Sequence, residues 1–425
     1  MSTPNSSPAL ARRLGTGDAV MIGLGSMIGA GIFAAFAPAA AAAGSGLLIG
    51  LALAALIAYC NATSSAQLAA QYPTSGGTYV YGRERLGAWP GFVAGWGFVI
   101  GKTASCAAMA MTFAAYAVPE SWQRPAAVAA VLALAAINTR GVTRTAAATR
   151  VIVTVVLLVL AMVVLAGLTS GAPALDGVVS LRMGDGGWMA GGWYGVLQSA
   201  GLLFFAFAGY ARIATMGEEV REPRRTIPRA ILTALGLALA VYVLIAVALL
   251  VTVGAAGVAA SPTPLAEVLR VRGWEWGVPL VRIGAAAAAL GALLALIAGI
   301  GRTSLAMARQ GDLPRWLATV HPRHQVPHRA EIALALVVSA LVLTVDLREA
   351  IGFSSVGVLL YYLIANLAAL TQEAPDRLYA KGWQVLGAIG CVVLVATLPP
   401  VSIAAAAVMF ALGVGYRLLR LRRAR

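Results

Sequence analysis

The chain has 425 residues, 60% hydrophobic and 11% charged, with a formal net charge of +15. A soluble domain cannot hide that much apolar side chain. Apolar runs of about 20 residues between short charged loops describe an all-α, polytopic membrane protein. The positive charge would suit nucleic acid in a soluble protein, but here it sorts to one side of a bilayer, which excludes that partner.

Met1–Leu10 is polar, and the first apolar run ends without a small-residue cleavage site, so no signal peptide is expected. Twelve spans are predicted: Asp18–Ala43, Gly46–Gln67, Pro90–Val118, Arg124–Ile137, Ala146–Leu168, Trp193–Thr215, Pro228–Val253, Val278–Ala308, Glu331–Val345, Ala350–Thr371, Trp383–Leu398 and Pro400–Leu419. The fourth, ninth and eleventh are short. Of 31 Lys and Arg, 22 fall on the side shared by the N-terminus and alternate loops, from Arg12 and Arg13 through Arg144 to the five tail arginines beginning at Arg417. Six fall opposite, at Arg124, Arg182, Arg270, Arg272, Arg282 and Arg348. That asymmetry puts both termini in the cytoplasm of a cell-membrane protein. The basic tail is expected to meet anionic lipid headgroups.

The first span holds Gly23-Leu-Gly-Ser-Met-Ile-Gly-Ala-Gly-Ile-Phe33. Each glycine costs a helix about 1 kcal/mol, and backbone freed in a bilayer cannot turn to water. Such a break, expected at Gly29–Gly31, persists where bare N–H and C=O groups hold something. A small zwitterion fits, with its anion at a half-helix N-terminus and its cation on free carbonyls.

The second span has no acidic residue, with Gln67 near its end. In the third, Lys102 lies inside the apolar core of Gly101-Lys-Thr-Ala-Ser105, too deep to snorkel easily. An intramembrane charge defaults to a functional hypothesis. It either borders the cavity and releases a proton during transport, or it is a permanent amine on the carbonyls of the broken helices. The fifth span, Val151–Leu168, has no ionisable residue. The sixth carries a second interruption, Phe204-Phe-Ala-Phe-Ala-Gly-Tyr-Ala211, that includes Gly209. Two breaks five spans apart are the pointer to an inverted repeat of five plus five helices with a site between them. Arg212 follows, with Glu218 or Glu219 as a potential ion partner.

Between spans lie Gln71-Tyr-Pro-Thr-Ser-Gly-Gly-Thr-Tyr-Val-Tyr81 and Gly217-Glu-Glu-Val-Arg-Glu-Pro-Arg-Arg-Thr-Ile-Pro-Arg229, where Pro228 suits the first turn of the seventh helix. The eighth span ends Arg302-Thr-Ser-Leu-Ala-Met-Ala-Arg-Gln-Gly-Asp-Leu-Pro314. Ala174–Trp188 and Gly254–Trp276 read as external loops. His321, His324 and His328 share one loop, and His-rich tracts can bind metal, but their setting among Pro and Arg reads as structural. Cys60, Cys106 and Cys391 lie in apolar runs and read as small buried hydrophobes. No metal or cofactor site is expected. Every Asp and Glu maps to a loop or span end, so a cationic side chain has no central carboxylate to meet. That favours neutral amino acids, with acidic ones admitted by Lys102.

The Gly-x-Gly-Ile-Phe break, Tyr-Pro-x-x-Gly-Gly-x-Tyr-x-Tyr, Phe-Phe-Ala-Phe-x-Gly with Glu-Glu-Val-x-x-Pro-x-x-Thr-Ile-Pro-Arg, and Arg302…Ala308-Arg-x-Gly-x-Leu-Pro together resemble the amino acid–polyamine–organocation superfamily of transporters over roughly Gly15–Thr371. The resemblance implies a leucine-transporter-like ten-helix core at 18–371, a cytoplasmic segment at 1–17, and two further helices with a basic tail at 372–425. It implies alternating access, no enzymatic activity, and an amino acid as cargo. By position, the substrate carboxylate would meet the N–H groups of Gly29, Ala30 and Gly31. The ammonium would meet the carbonyls of Met27, Ile28, Phe205 and Ala208, with Phe205 as an aromatic lid and Thr103 as a side-chain contact. Many relatives carry a fifth-span lysine near the position of Val156, and its lack here keeps open a sensor or accessory subunit that binds without transporting. A proton or an exchange mechanism is preferred to sodium, for which Ala298, Gly299, Thr303 and Ser304 offer oxygens.

Overall fold

A computed structural model describes residues 14–74, 76–141, 146–169, 191–217 and 219–423. Arg12, Arg13, Ser75, Arg144, Ala174–Trp188 with Arg182, Glu218 and Arg425 lie outside them, as does the side chain of Ala30. The described chain is a succession of helices. An isolated parallel bridge between Leu14 and Val220 ties the start of the described chain to the loop that follows the second interruption.

In chain order the helices are α1 (Thr16–Met27), α2 (Ala30–Ala34), α3 (Phe36–Ala43), α4 (Leu47–Gln71), α5 (Thr78–Leu86), α6 (Ala88–Ala117), α7 (Gln123–Thr139), α8 (Ala146–Thr169), α9 (Gly192–Phe207), α10 (Ala211–Ala214), α11 (Pro223–Thr252), α12 (Gly254–Ala260), α13 (Pro264–Val271), α14 (Val278–Arg309), α15 (His328–Thr344), α16 (Leu347–Leu370), α17 (Lys381–Thr397) and α18 (Pro400–Arg423). Among the described residues, nine helices or helix pairs are long and apolar enough to cross a membrane. α7, α15 and α17 fall on the three short predicted spans and have 17 residues each. At 1.5 Å per residue such a helix covers about 26 Å, just under a bilayer's hydrocarbon core.

Local chemistry sets several helix starts. Asp346 accepts a hydrogen bond from the Glu349 N–H at 2.7 Å, and the Glu349 carboxylate accepts from the Asp346 N–H at 3.2 Å, a capping box that opens α16. α11 begins at Pro223 rather than at Pro228, which lies one turn further on inside the helix. There it has no N–H to give the Arg224 carbonyl, so the helix forgoes one backbone bond in its second turn. The segment Gly254–Trp276, expected as a loop, instead forms α12 and α13. Pro264 occupies the first turn of α13, and Leu265, Ala266, Val268 and Leu269 bury one face of it.

α1 packs on α11, α9 and α11 pack on α4, and α6 lies between α14 and α16. Glycines sit at these contacts, Gly23 against Ala234, Gly50 against Ala200 and Gly101 against Gly357, and let the helices approach closely. Two arginines near the end of α18 are held by other parts of the chain. Arg417 pairs with Asp312 at 2.5 Å and lies over the rings of Trp89 and Phe92. Arg420 donates to the carbonyls of Gly311 and Leu313. Arg83 and the Tyr79 hydroxyl also reach Asp312, at 3.0 and 2.8 Å. Burial first, and the bond to Asp312 second, push the Tyr79 phenol above its ordinary value, so it remains a donor.

Candidate functional site

The first helix breaks at Ile28 and Gly29, slightly ahead of the expected Gly29–Gly31. α1 ends at Met27, Gly29 has ψ −127°, and α2 restarts at Ala30 with no side-chain cap on its first N–H groups. The second break is shallower. α9 runs through Phe205 to Phe207, then tightens into a 3₁₀ turn over Ala208–Tyr210 before α10.

The two breaks touch. A Cβ on Gly209 would stand 2.3 Å from the Ser26 carbonyl oxygen, and one on Gly31 would stand 2.7 Å from Ala206 Cα. Only glycine fits at either contact. Beside them lies a cavity of about 710 Å³. Met27, Gly31, Phe205, Ala208, Gly209 and Lys102 line it. Ile28 and Gly29 face a separate narrow cleft with Val153, Val156 and Ala288. Thr103 lines neither, and its hydroxyl donates to the Val99 carbonyl of its own helix at 2.7 Å. The face of α6 turned to the cavity carries Phe98, Lys102, Ser105 and Met109 instead.

The cavity continues to the helix ends marked by Leu14, Thr149, Glu219 and Ala306, with exposed Arg302 on its wall. Beyond the breaks in the other direction, buried Phe33 packs edge-on against buried Tyr116 at 5.6 Å.

Three carbonyls at the breaks accept from side-chain donors. The hydroxyl of Tyr242, on α11 and 1% exposed, lies 2.7 Å from the Met27 oxygen and 2.9 Å from the Ala206 oxygen. One proton serves both acceptors, so each keeps a lone pair free. The Ala208 oxygen accepts from Lys102 Nζ at 3.4 Å and from the Tyr362 hydroxyl at 3.3 Å. Lys102 is 7% exposed. The sequence drew no attention to Tyr242 or Tyr362, because tyrosines in apolar helices carry no signal apart from composition.

Arg212 and Glu219 share the cavity wall but form no ion pair among the described residues. Two carboxylates are buried outside the cavity: Asp312, in its arginine cluster, and Glu331, 2% exposed at the start of α15 behind Gly301. Of the residues offered for sodium, Ala298, Gly299 and Thr303 line the cavity and Ser304 does not. The His321 ring packs on those of His324 and His328 at 4.7 and 5.2 Å.

A family model described as amino acid permease matches residues 14–418. An uncharacterized transporter of Mycobacterium tuberculosis is 59% identical over 98% of this chain and 93% of its own length. The branched-chain amino acid permease BcaP of Bacillus subtilis is 26% identical over 87% of this chain and 83% of its own. Human cationic amino acid transporter 4 is 28% identical over 83% of this chain and 58% of its own.

Proposed function

The chain belongs to the amino acid permease family, and we propose that it is a secondary transporter that carries an amino acid across the cell membrane by alternating access. One observation carries the reading: two interrupted helices touch at Ser26 and Gly209 and open onto a single cavity. Irregular backbone at membrane depth is tolerated where it lines such a space.

In this reading twelve helices span the bilayer, with α7, α15 and α17 as the short members. Residues 18–371 form the five-plus-five inverted repeat, preceded by a cytoplasmic segment at 1–17. Residues 372–425 add two helices and the tail. Both termini are cytoplasmic, so the cavity opens inward and the Phe33–Tyr116 contact closes the outer side. The substrate carboxylate meets the N–H groups of Ala30 and Gly31, that of Gly29 being turned, like Ile28, to the other cleft, and Phe205 supplies an aromatic wall. The ammonium takes the lone pair that Tyr242 leaves on Met27, together with the Phe205 carbonyl. Ala208 is the weaker acceptor, since two donors already share it, and Ile28 is turned to the other cleft.

The cargo is an amino acid without a cationic side chain. A neutral one satisfies the backbone groups with no further requirement, and among the described residues the cavity's only lining carboxylate is Glu219, at the helix ends away from the breaks. Lys102 is the coupling candidate, a buried amine placed on the second break that exchanges a proton as the cavity opens and closes. The binding-only alternative, a sensor or accessory subunit, draws on Val156, which leaves no cation against Ile28 and Gly29. Reconstituted vesicles separate the two: saturable uptake of a labelled amino acid establishes transport, and binding without flux establishes the alternative.

A further inference from the structure

The cavity carries positive charge that a neutral amino acid does not use. Lys102 enters it from α6, Arg212 from α10 and Arg302 from α14. The one acidic side chain among its described lining residues is Glu219. None of these four takes part in an ion pair among the described residues. Arg212, Arg302 and Glu219 are close enough to interact electrostatically, and Arg302 is also within reach of the buried Glu331 carboxylate behind Gly301, which leaves Lys102 the cation farthest from a carboxylate. Cations gathered in a partly desolvated space favour an anion joining them.

Two of these cations belong to the second break itself. Lys102 is anchored there by its bond to the Ala208 oxygen, and at 3.4 Å that bond is long for an N–H···O contact. Its ammonium has three donors, two of them uncommitted. Arg212 begins three positions after Gly209, on the turn that leaves the break. An amino acid held by the breaks therefore directs its side chain into a space with an amine on one wall and a guanidinium on another. Arg302, exposed at the open end, steers anions inward.

We propose that the preferred cargo is an acidic amino acid, whose side-chain carboxylate is received by Lys102 and Arg212. This rests on the reading of the two breaks as the amino-acid site and fixes the order of substrates: acidic above neutral, and neutral above cationic. A neutral side chain gains only the backbone contacts, whereas an acidic one adds charge-assisted hydrogen bonds.

The test is equilibrium binding of L-glutamate, L-aspartate, L-alanine, L-leucine and L-lysine to the purified full-length protein in lipid nanodiscs. The proteins compared are the wild type and the Lys102→Gln, Lys102→Arg and Arg212→Gln variants. Wild type is expected to bind glutamate or aspartate most tightly. The preference for glutamate over alanine should fall about tenfold or more in Lys102→Gln and in Arg212→Gln, and Lys102→Arg, which keeps the charge, should retain most of it. Because the readout is a ratio, a general loss of folded protein does not imitate the result. Tightest binding of alanine or leucine, binding of lysine on a par with glutamate, or a ratio unchanged in both glutamine variants overturns the proposal while leaving an amino-acid site in place. Binding of none of the five overturns the amino-acid site as well.

Discussion

Gly209 lies so close to Ser26 that a Cβ on it would stand 2.3 Å from the Ser26 carbonyl oxygen. The contact is backbone to backbone, so neither partner can rotate away. The second broken helix is thereby held directly against the first, and the proposed substrate site depends on that approach. Gly209→Ala must push the two apart, and overpacking of this kind costs about 1–3 kcal/mol. Uptake by this variant in proteoliposomes should fall at least about tenfold with the protein still monodisperse, whereas Gly236→Ala, where a Cβ meets open space, should transport normally.

Tyr242 ties the same two segments through one hydroxyl, at 2.7 Å from Met27 and 2.9 Å from Ala206. Tyr242→Phe keeps the ring, which packs edge-on against Phe207 at 5.0 Å, and removes only the donor. Two buried carbonyls then compete for whatever donor remains, a loss of about 1–3 kcal/mol. Substrate affinity should fall about tenfold, with little change in the amount of folded protein. Comparing dissociation constants and melting temperatures of the two proteins checks both halves.

If Lys102 exchanges a proton, wild-type uptake should rise under an inward proton gradient. Lys102→Gln cannot release a proton, and its residual uptake should be indifferent to the gradient. Equal stimulation of both proteins would assign Lys102 the role of a fixed amine on the Ala208 carbonyl.

Asp312 holds Arg417 and Arg83 together where burial leaves little water to replace it. Removing the carboxylate strands the buried Arg417 charge, and breaking such a pair costs about 3 kcal/mol or more. Asp312→Ala should lower the melting temperature and open α18 to protease. The double variant Asp312→Ala/Arg417→Met, which removes both buried charges, should recover part of the loss.

Some of this site was legible in the sequence because it rests on residues that are costly where they stand. The glycines of the first break, Gly209 and the intramembrane Lys102 each violate a helix or bilayer preference, and each lines the cavity or abuts a break. Apolar runs located these helices, including the three that are only 17 residues long. What escaped were contacts between ordinary residues far apart in the chain. Tyr242 looks like any tyrosine in a Val/Leu helix until its hydroxyl is found between two carbonyls. The Asp312 cluster joins residues 229 and 105 positions apart, and no local pattern reports that. Thr103 was assigned by alignment to the cavity, but the helical phase set by Lys102 and Ser105 turns it away. The α12–α13 segment lacks the length of a span, so it read as a loop although Pro264 and its apolar face mark a helix.

The most direct measurement is uptake of a labelled amino acid into proteoliposomes, competed by three unlabelled compounds: the amino acid itself, its decarboxylated amine and its deaminated acid. A site made of backbone N–H groups and carbonyls requires both charged ends, so only the intact amino acid should abolish uptake. Flux no greater than that of empty liposomes, or competition by the amine or the acid as strong as by the amino acid, would contradict it.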